Sequence, residues 1–148
     1  MEKKNILVSA CLLGTPCRYD GASKPNVKVI ALSEKYNLIP VCPEVAGGLP
    51  TPRTPSEIVG ERVLMRDGRD VTENYRRGAE FALDLANENS CKTAILKARS
   101  PSCGKGQVYD GTFSGTLTSG DGITAKLLSD AGISVFSEEN IDELLTIL

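Results

Sequence analysis

The sequence predicts an α/β fold, a single-domain three-layer sandwich in which a mostly parallel sheet lies between helices on both of its faces. Two observations predict this class. Short apolar runs typical of buried strands alternate along the chain with segments of helical periodicity. The length of 148 residues suits one domain, 1–148, and a chain of this size can bury about two-thirds of its surface.

The first part of the chain supplies two strands and one helix. Residues 5–10 form an apolar run that predicts a buried first strand. Asn26 is a typical N-cap residue, and the apolar positions after it predict a helix that ends near Tyr36–Asn37. Residues 38–42 predict the second strand. Pro40 places that strand at a sheet edge or a bulge, because proline cannot donate a hydrogen bond to a neighbouring strand.

The middle of the chain begins with a segment dense in structure-breaking residues. Residues 43–55 contain four prolines and two glycines, which predicts a loop without a helix or a central strand. Residues 57–71 predict a small hairpin that turns at Asp67–Gly68. Thr72 begins the longest predicted helix, since apolar residues follow it at helical spacing.

The last part of the chain repeats the alternation. Residues 93–96 predict the third strand, and the glycine-rich residues 100–121 predict a long loop. Residues 123–128 predict a helix, residues 133–136 predict the fourth strand, and Ser137 is suited to cap a final helix. Strands and helices in this order predict a Rossmann-like sheet, in which ligands bind beyond the carboxyl ends of the strands.

The composition excludes several classes of function. With 17 basic and 19 acidic side chains and a net charge of −2, the chain lacks the dense basic face of a general nucleic-acid binder. It contains no histidine, which excludes His-ligated zinc and histidine acid–base catalysis. No apolar run approaches the length of a membrane span or of a signal-peptide core, so we expect a cytoplasmic protein.

Five cysteines are the feature that points to chemistry. Cys11 follows the first predicted strand, Cys42 ends the second, and Cys103 comes a few residues after the third. Because the carboxyl ends of parallel strands share one edge, these thiols are expected to meet there, with Cys17 in the adjacent loop. Cys91 precedes a strand and is expected at the opposite edge as a buried apolar residue. Thiolates without histidine suit an iron–sulfur cluster, zinc or Cu(I), and the spacing does not choose among them.

Three segments taken together resemble one known family. They are residues 8–21, residues 40–49 with Pro52 and Arg53, and residues 96–104, whose sequences are VSACLLGTPCRYDG, PVCPEVAGGL and LKARSPSCG. This combination is similar to the YbbK-like family, a domain family of formerly unknown function that includes 2-thiouracil desulfurase. The similarity spans nearly the whole chain. It implies a non-redox iron–sulfur enzyme that removes sulfur from a small thiolated nucleobase similar to 2-thiouracil, or from a related thiocarbonyl compound.

The resemblance also implies a ligand set. Cys11, Cys42 and Cys103 would hold a [4Fe-4S] cluster in which one iron remains open for the sulfur of the substrate. Cys17 stands in the family pattern too, as a neighbour or an alternate ligand. An iron with an open position would polarise a carbon–sulfur bond much as metal ions polarise carbonyls.

Glu44 and Ser100 match the positions that the family uses for catalysis. Glu44 would deprotonate the attacking water or shuttle its proton, and Ser100 would donate or relay protons at the ring. Each has a structural alternative, since Glu44 could bind backbone amides and Ser100 could be a turn residue. Candidate substrate-binding residues at the same edge, which could instead be solvated or turn residues, are Arg18, Arg53, Lys97 and Ser102.

Two other functions remain open at the level of sequence. A structural or sensor protein would use the cysteines at the sheet edge to close a tetrahedral zinc site, or would hold a cluster without catalysis. A thiol enzyme would use Cys17 or Cys103 as a nucleophile beside basic side chains. The metal content separates the first alternative from a desulfurase, and substitution of Cys11 and Cys42 separates the second.

Overall fold

The four strands of the main sheet are separated along the chain by helical segments. The structure is a computed structural model that describes residues 3–147. The strands of the molecule are β1 (Asn5–Ser9), β2 (Asn37–Val41), β3 (Ser56–Val59), β4 (Arg62–Met65), β5 (Thr93–Leu96), β6 (Gln107–Tyr109), β7 (Leu117–Ser119) and β8 (Ser134–Ser137). The α-helices are α1 (Val27–Ala31), α2 (Pro43–Ala46), α3 (Thr72–Glu88), α4 (Ile123–Asp130) and α5 (Ile141–Leu145). Short 3₁₀ turns cover Ala10–Leu13, Leu32–Glu34 and Glu138–Asn140.

The main sheet has the strand order β2-β1-β5-β8, and each neighbouring pair is parallel. The predicted α/β fold with a mostly parallel sheet is therefore confirmed. Pro40 lies in β2 at the edge of this sheet, where a residue without an N–H is tolerated. The two remaining pairs, β3–β4 and β6–β7, are antiparallel hairpins.

Two apolar layers lie on opposite faces of the sheet, because successive side chains of a strand point to opposite sides. Ile6 and Val8 of β1 pack against α1 and α5, whereas Leu7 between them packs against α3 and α4. This alternation gives the three-layer sandwich. Among the helices formed by residues 3–147, none has both the length and the apolar character that crossing a membrane requires.

Two of the predicted loops contain regular structure. Pro43–Ala46 forms the single-turn helix α2 where a loop was predicted, because a proline at the first helical position gives up an N–H that would have no helical partner. Residues 100–121 contain the hairpin β6–β7. Its strands are only three residues long and half exposed, so they carry no apolar alternation that would predict them.

The hairpin predicted over residues 57–71 is shorter than expected. Its strands β3 and β4 are joined at Gly60–Glu61, so the predicted turn at Asp67–Gly68 was wrong for this pair. Asp67–Gly68 instead forms a second tight turn, closed by the N–H of Met65 donating to the carbonyl of Arg69 at 2.8 Å. When two glycine-containing turn sequences lie a few residues apart, the sequence does not show which of them joins the paired strands.

Helix α2 rests directly on the backbone of α3. A Cβ atom added to Gly78 of α3 would overlap the carbonyl oxygen of Pro43, and one added to Gly47 would overlap that of Asn74. The Asn74 side-chain amide also donates to the carbonyl of Gly47 at 2.9 Å. Only glycine allows backbones to approach this closely, so both glycines fix the position of the segment after β2.

We predict that Gly78→Ala destabilises the fold, although alanine is the better helix former. Helix propensity alone would stabilise the protein by about 1 kcal/mol, whereas forcing α2 away from α3 costs about 1–3 kcal/mol. Urea denaturation followed by circular dichroism measures the net change. Glu80→Ala, on the exposed side of the same helix, is the matched control and should change the stability little. A stabilised Gly78→Ala variant would contradict the contact.

Candidate active site

A pocket of about 550 Å³ opens beyond the carboxyl ends of β1, β2 and β5, as a parallel sheet predicts. Its floor includes Ser9, Val41 and Lys97, which stand at or just past the ends of those three strands. The hairpins β3–β4 and β6–β7 contribute part of the wall. Four thiols line the pocket, those of Cys11, Cys17, Cys42 and Cys103.

The predicted convergence of cysteines is therefore present in the structure. All five cysteines are free thiols, and Cys91 lies apart from the pocket in the apolar layer below α3 and α4. Cys11 lies in the 3₁₀ turn after β1, whose backbone is held by the N–H of Lys24 donating to the Cys11 carbonyl at 2.9 Å. Cys42 directly precedes α2, so the packing of α2 on α3 sets its position.

The turn that carries Cys103 is fastened at two ends. The Ser100 hydroxyl accepts the N–H groups of Ser102 and Cys103 at 3.0 and 3.1 Å. The N–H groups in the first turn of α4 have no partner within the helix, and they bond the turn that carries Cys103. The N–H of Thr124 donates to the Ser102 carbonyl at 2.8 Å. The hydroxyls of Ser102 and Thr124 are also 2.8 Å apart and buried. These bonds hold the Cys103 sulfur against the sheet.

Cys17, Cys42 and Cys103 sit in surroundings that raise the pKa of each thiol. A hydrogen bond with Cys17 and burial raise the pKa of Cys42 well above its usual value. Burial raises the pKa of Cys103 to about 12, although a hydrogen bond from Ser9 opposes that shift. A hydrogen bond with Cys11 is the main cause that raises the pKa of Cys17. A metal centre bound to these sulfurs would displace their protons.

Glu44, the second residue of α2, is held by a buried arginine. Arg53 Nε donates to Glu44 Oε2 at 2.9 Å, and Arg53 Nη2 lies 2.7 Å from the same oxygen. The guanidinium also donates to the carbonyls of Cys17 at 3.0 Å and Pro50 at 3.1 Å. Its side chain is only 4% exposed. Arg53 was expected to bind substrate, but most of its N–H donors are bonded to groups of the protein itself.

Ser100 lies beside the other oxygen of this carboxylate. Its hydroxyl donates to Glu44 Oε1 at 3.4 Å while accepting the two backbone N–H groups of its own turn. Ser100 is therefore a turn residue and a neighbour of Glu44 at once. Within residues 3–147, Glu44 bonds the side chains of Arg53 and Ser100. It does not bind backbone amides of these residues, which was the alternative role considered for it.

The other expected substrate-binding residues have different surroundings. Lys97 lines the pocket and pairs with Glu138 at 2.8 Å. Arg18 also lines it, with Asp20 4.0 Å away. Ser102 is fully buried against Thr124 and does not line the pocket. Lys97 and Arg18 are thus the members of this group whose side chains remain next to the pocket without a bond to Glu44.

Sequence reasoning did not single out several pocket residues. Tyr75 of α3 is 2% exposed, and burial together with the nearby Glu44 raises its pKa well above the usual value. Glu57 of β3 accepts the N–H groups of Gly111 and Phe113 at 2.9 and 3.2 Å, which ties the two hairpins into one wall. Neither residue belongs to a sequence motif. Their positions in a helix and in a hairpin do not reveal from the sequence that they line the pocket.

The donor set suits a cluster better than a single ion. Within residues 3–147, three or more His, Cys, Asp or Glu side chains nowhere come together as a site for one metal ion. A tetrahedral zinc needs all of its sulfur ligands about 2.3 Å from one point. In an iron–sulfur cluster each thiolate binds its own iron, so several thiols that line one pocket from different stretches of the chain fit the group. The thiols lining this pocket therefore fit an iron–sulfur cluster.

Fold and site together define a class of protein, a three-layer α/β domain with thiols, a carboxylate and a hydroxyl around one pocket at the sheet edge. A family model described as 2-thiouracil desulfurase matches residues 6–140. The uncharacterized protein YbbK of Bacillus subtilis (strain 168) is 42% identical over 150 residues, covering 95% of this chain and 99% of its own length. The chain belongs to the 2-thiouracil desulfurase family, as the sequence resemblance predicted.

A solved structure supports the same relationship. It is titled [4Fe-4S]-dependent thiouracil desulfidase TudS, and its chain is 48% identical to this one. The match covers 99% of this chain and 100% of that chain, with a TM-score of 0.92. At this identity and coverage the two proteins share their architecture throughout.

We predict that Arg53→Gln destabilises the protein by about 3 kcal/mol, because it removes one partner of a largely buried ion pair and leaves the Glu44 carboxyl without it. Arg53→Lys should recover only part of the loss, since an ammonium group lacks the planar fork of donors. The free energy of unfolding in urea measures both variants. Arg62→Gln removes an exposed arginine–aspartate pair and serves as the control, with little change expected. Equal losses in Arg53→Gln and Arg62→Gln would contradict the assigned role.

Proposed function

We propose that the protein is an iron–sulfur desulfurase that removes sulfur from a small thiolated nucleobase similar to 2-thiouracil, or from a related thiocarbonyl compound. The observation that carries the proposal is the meeting of four thiols with Glu44 and Ser100 around one pocket. Membership of the 2-thiouracil desulfurase family and the similarity to a [4Fe-4S]-dependent thiouracil desulfidase support it.

The proposed ligands of a [4Fe-4S] cluster are Cys11, Cys42 and Cys103, each from the segment that follows one of three neighbouring parallel strands. When bound, a cluster held by three thiolates supplies an iron with an open position, a soft Lewis acid for a thiocarbonyl sulfur. Cys17 lies among the same sulfurs, within hydrogen-bonding range of Cys11 and Cys42. We assign it as a neighbour that shapes the pocket, with the variants below deciding whether it is also a ligand.

Glu44 is the proposed base. Arg53 binds one of its oxygens and so fixes the carboxylate plane, while the other oxygen faces Ser100. A carboxylate oxygen held in this way can accept a proton from water that attacks the carbon of the substrate. The Ser100 hydroxyl, 3.4 Å from that oxygen, is in place to pass a proton on towards the ring.

The remaining pocket residues suit a flat polar molecule. A volume of about 550 Å³ lies within the usual range for small-molecule sites. Tyr19 and Tyr109 line it with aromatic surface, and Lys97 and Arg18 supply hydrogen-bond donors. Donors of this kind can bind the carbonyl oxygens of a pyrimidine base.

We predict that Cys11→Ala, Cys42→Ala and Cys103→Ala each lose the bound cluster, because each removes one of three thiolate ligands. Wild type prepared without oxygen should contain about four irons per chain and release sulfide from 2-thiouracil. Iron analysis and a sulfide assay measure the two properties. Cys91→Ala is the matched control, since Cys91 is also buried but lies away from the pocket, and it should keep both.

Two other outcomes contradict the proposal, and a further variant tests whether Cys17 belongs to the ligand set. One zinc per chain and no iron would favour a structural thiolate site. Full activity in Cys11→Ala and Cys42→Ala would favour a thiol nucleophile. A Cys17→Ala variant that loses iron as completely as the three others would make Cys17 a ligand.

We predict that Glu44→Gln retains the iron but lowers the turnover number about 10²–10⁴-fold, the usual contribution of a positioned acid or base. Glu57→Gln is the control, because Glu57 is also a buried carboxylate of the pocket wall but is held by backbone amides of the hairpin. Steady-state sulfide release and iron content measure the effect. Equal turnover in Glu44→Gln and wild type would exclude Glu44 as the base.

A further inference from the structure

The hydroxyl of Ser9 connects the central strands of the sheet to the Cys103 sulfur. Ser9 is the last residue of β1 and is only 2% exposed. Its oxygen accepts the N–H of Lys97 at 2.9 Å, just beyond the end of β5. The same oxygen lies 3.4 Å from Cys103 Sγ, within hydrogen-bonding distance for sulfur.

The protonation state of a metal-bound cysteine decides the direction of the second bond. A backbone N–H can only donate, so the Ser9 oxygen must be the acceptor from Lys97. The one proton of the hydroxyl is then free to point elsewhere. Because Ser9 is buried, water does not compete for that proton, and the sulfur of Cys103 is the partner that the structure provides. A Cys103 thiolate bound to a metal has no proton to give, so in the loaded site Ser9 is the donor to the sulfur.

This placement follows from the register of the parallel sheet. Val8 of β1 pairs with Ile95 of β5, so Ser9 stands where the ladder between the two strands ends. There its side chain, in place of a backbone carbonyl, satisfies the N–H of Lys97. The bond fixes the rotamer of Ser9 and also the start of the segment that leads to Ser100 and Cys103.

The Cys103 sulfur needs such a donor more than an exposed thiolate would. Cys103 is 5% exposed and packs in the apolar layer with Leu96 and Ala125. A thiolate charge buried in apolar surroundings costs free energy unless a metal and hydrogen-bond donors compensate it. A hydrogen bond to a cysteine sulfur is one of the established means by which proteins tune iron–sulfur centres.

We infer that Ser9 is a positioning residue that donates a hydrogen bond to the Cys103 sulfur and so makes the metal centre bound there more electrophilic. This inference rests on the proposed function, because it takes Cys103 as a cluster ligand. A hydrogen bond to one thiolate lowers the electron density that this ligand donates to the cluster. The irons would then be stronger Lewis acids towards the sulfur of the substrate. The hydroxyl is engaged by Lys97 and Cys103, so the residue acts through Cys103.

The test compares Ser9→Ala with wild type, both loaded with iron and sulfide without oxygen. Ser9→Ala should keep about four irons per chain, because the three thiolates remain. The reduction potential of its cluster, measured by reductive titration, should shift to a more negative value. Its turnover number for sulfide release from 2-thiouracil should fall several-fold, while KM changes little. Ser137→Ala is the matched control: an equally buried serine at the end of β8 whose hydroxyl bonds Asn140 and Glu139 instead of a cysteine.

The outcomes separate this inference from the proposed function. A potential identical in Ser9→Ala and wild type would overturn the role of Ser9 even if the enzyme is a desulfurase. A wild type that binds four irons but releases no sulfide would overturn the proposed function, and the potential would still decide the role of Ser9. A wild type that binds no iron would overturn both. If Ser9→Ala does not fold, Ser9→Gly also removes the hydroxyl without adding a thiol beside the ligands, and should show the same shift.

Discussion

A single buried guanidinium holds together the parts of this site that the sheet alone does not fix. Arg53 bonds the Glu44 carboxylate, the carbonyl of Cys17 and the carbonyl of Pro50, which belong to three different stretches of loop and helix. Loops without regular structure would leave these groups free to move relative to one another. One planar group with five donors can satisfy all three, which a flexible ammonium could not do. The geometry of the carboxylate and of the Cys17 loop thus depends on the same side chain.

The sulfurs are placed by close backbone contact instead. Glycine allows α2, just after Cys42, to lie on the backbone of α3 at Gly78. On the other side of the pocket, Gly122 lets the start of α4 approach the Ser102 carbonyl, next to Cys103, closer than a Cβ would permit. Backbone contacts vary less than contacts between long side chains, because they involve no rotamers. A site that must hold several sulfurs around one rigid group benefits from this type of support.

Features that follow from the periodicity of apolar residues were predicted from the sequence, whereas contacts between distant side chains were not. Apolar runs revealed the four strands, and parallel topology then brought Cys11, Cys42 and Cys103 to one edge, as the structure has them. The hairpin β6–β7 was missed because three half-exposed residues per strand carry no periodicity. The partner of Arg53 was missed because sequence shows a charge but not what faces it. For the same reason Ser102, adjacent to Cys103 in the chain, was expected in the pocket but lies buried against Thr124.

The interior of the scaffold is packed and hydrogen-bonded by the chain's own groups, whereas small zinc domains rely on the metal to hold their fold together. Apolar layers cover both faces of the sheet, and no buried side-chain nitrogen or oxygen in residues 3–147 lacks a hydrogen-bond partner. The Cys42 and Cys103 thiols have raised pKa values, so without a metal they are neutral near pH 7 and bring no buried charge. The ion pair of Glu44 and Arg53 is likewise complete within the protein. A cluster bound at Cys42 and Cys103 would displace the protons that these two thiols otherwise keep.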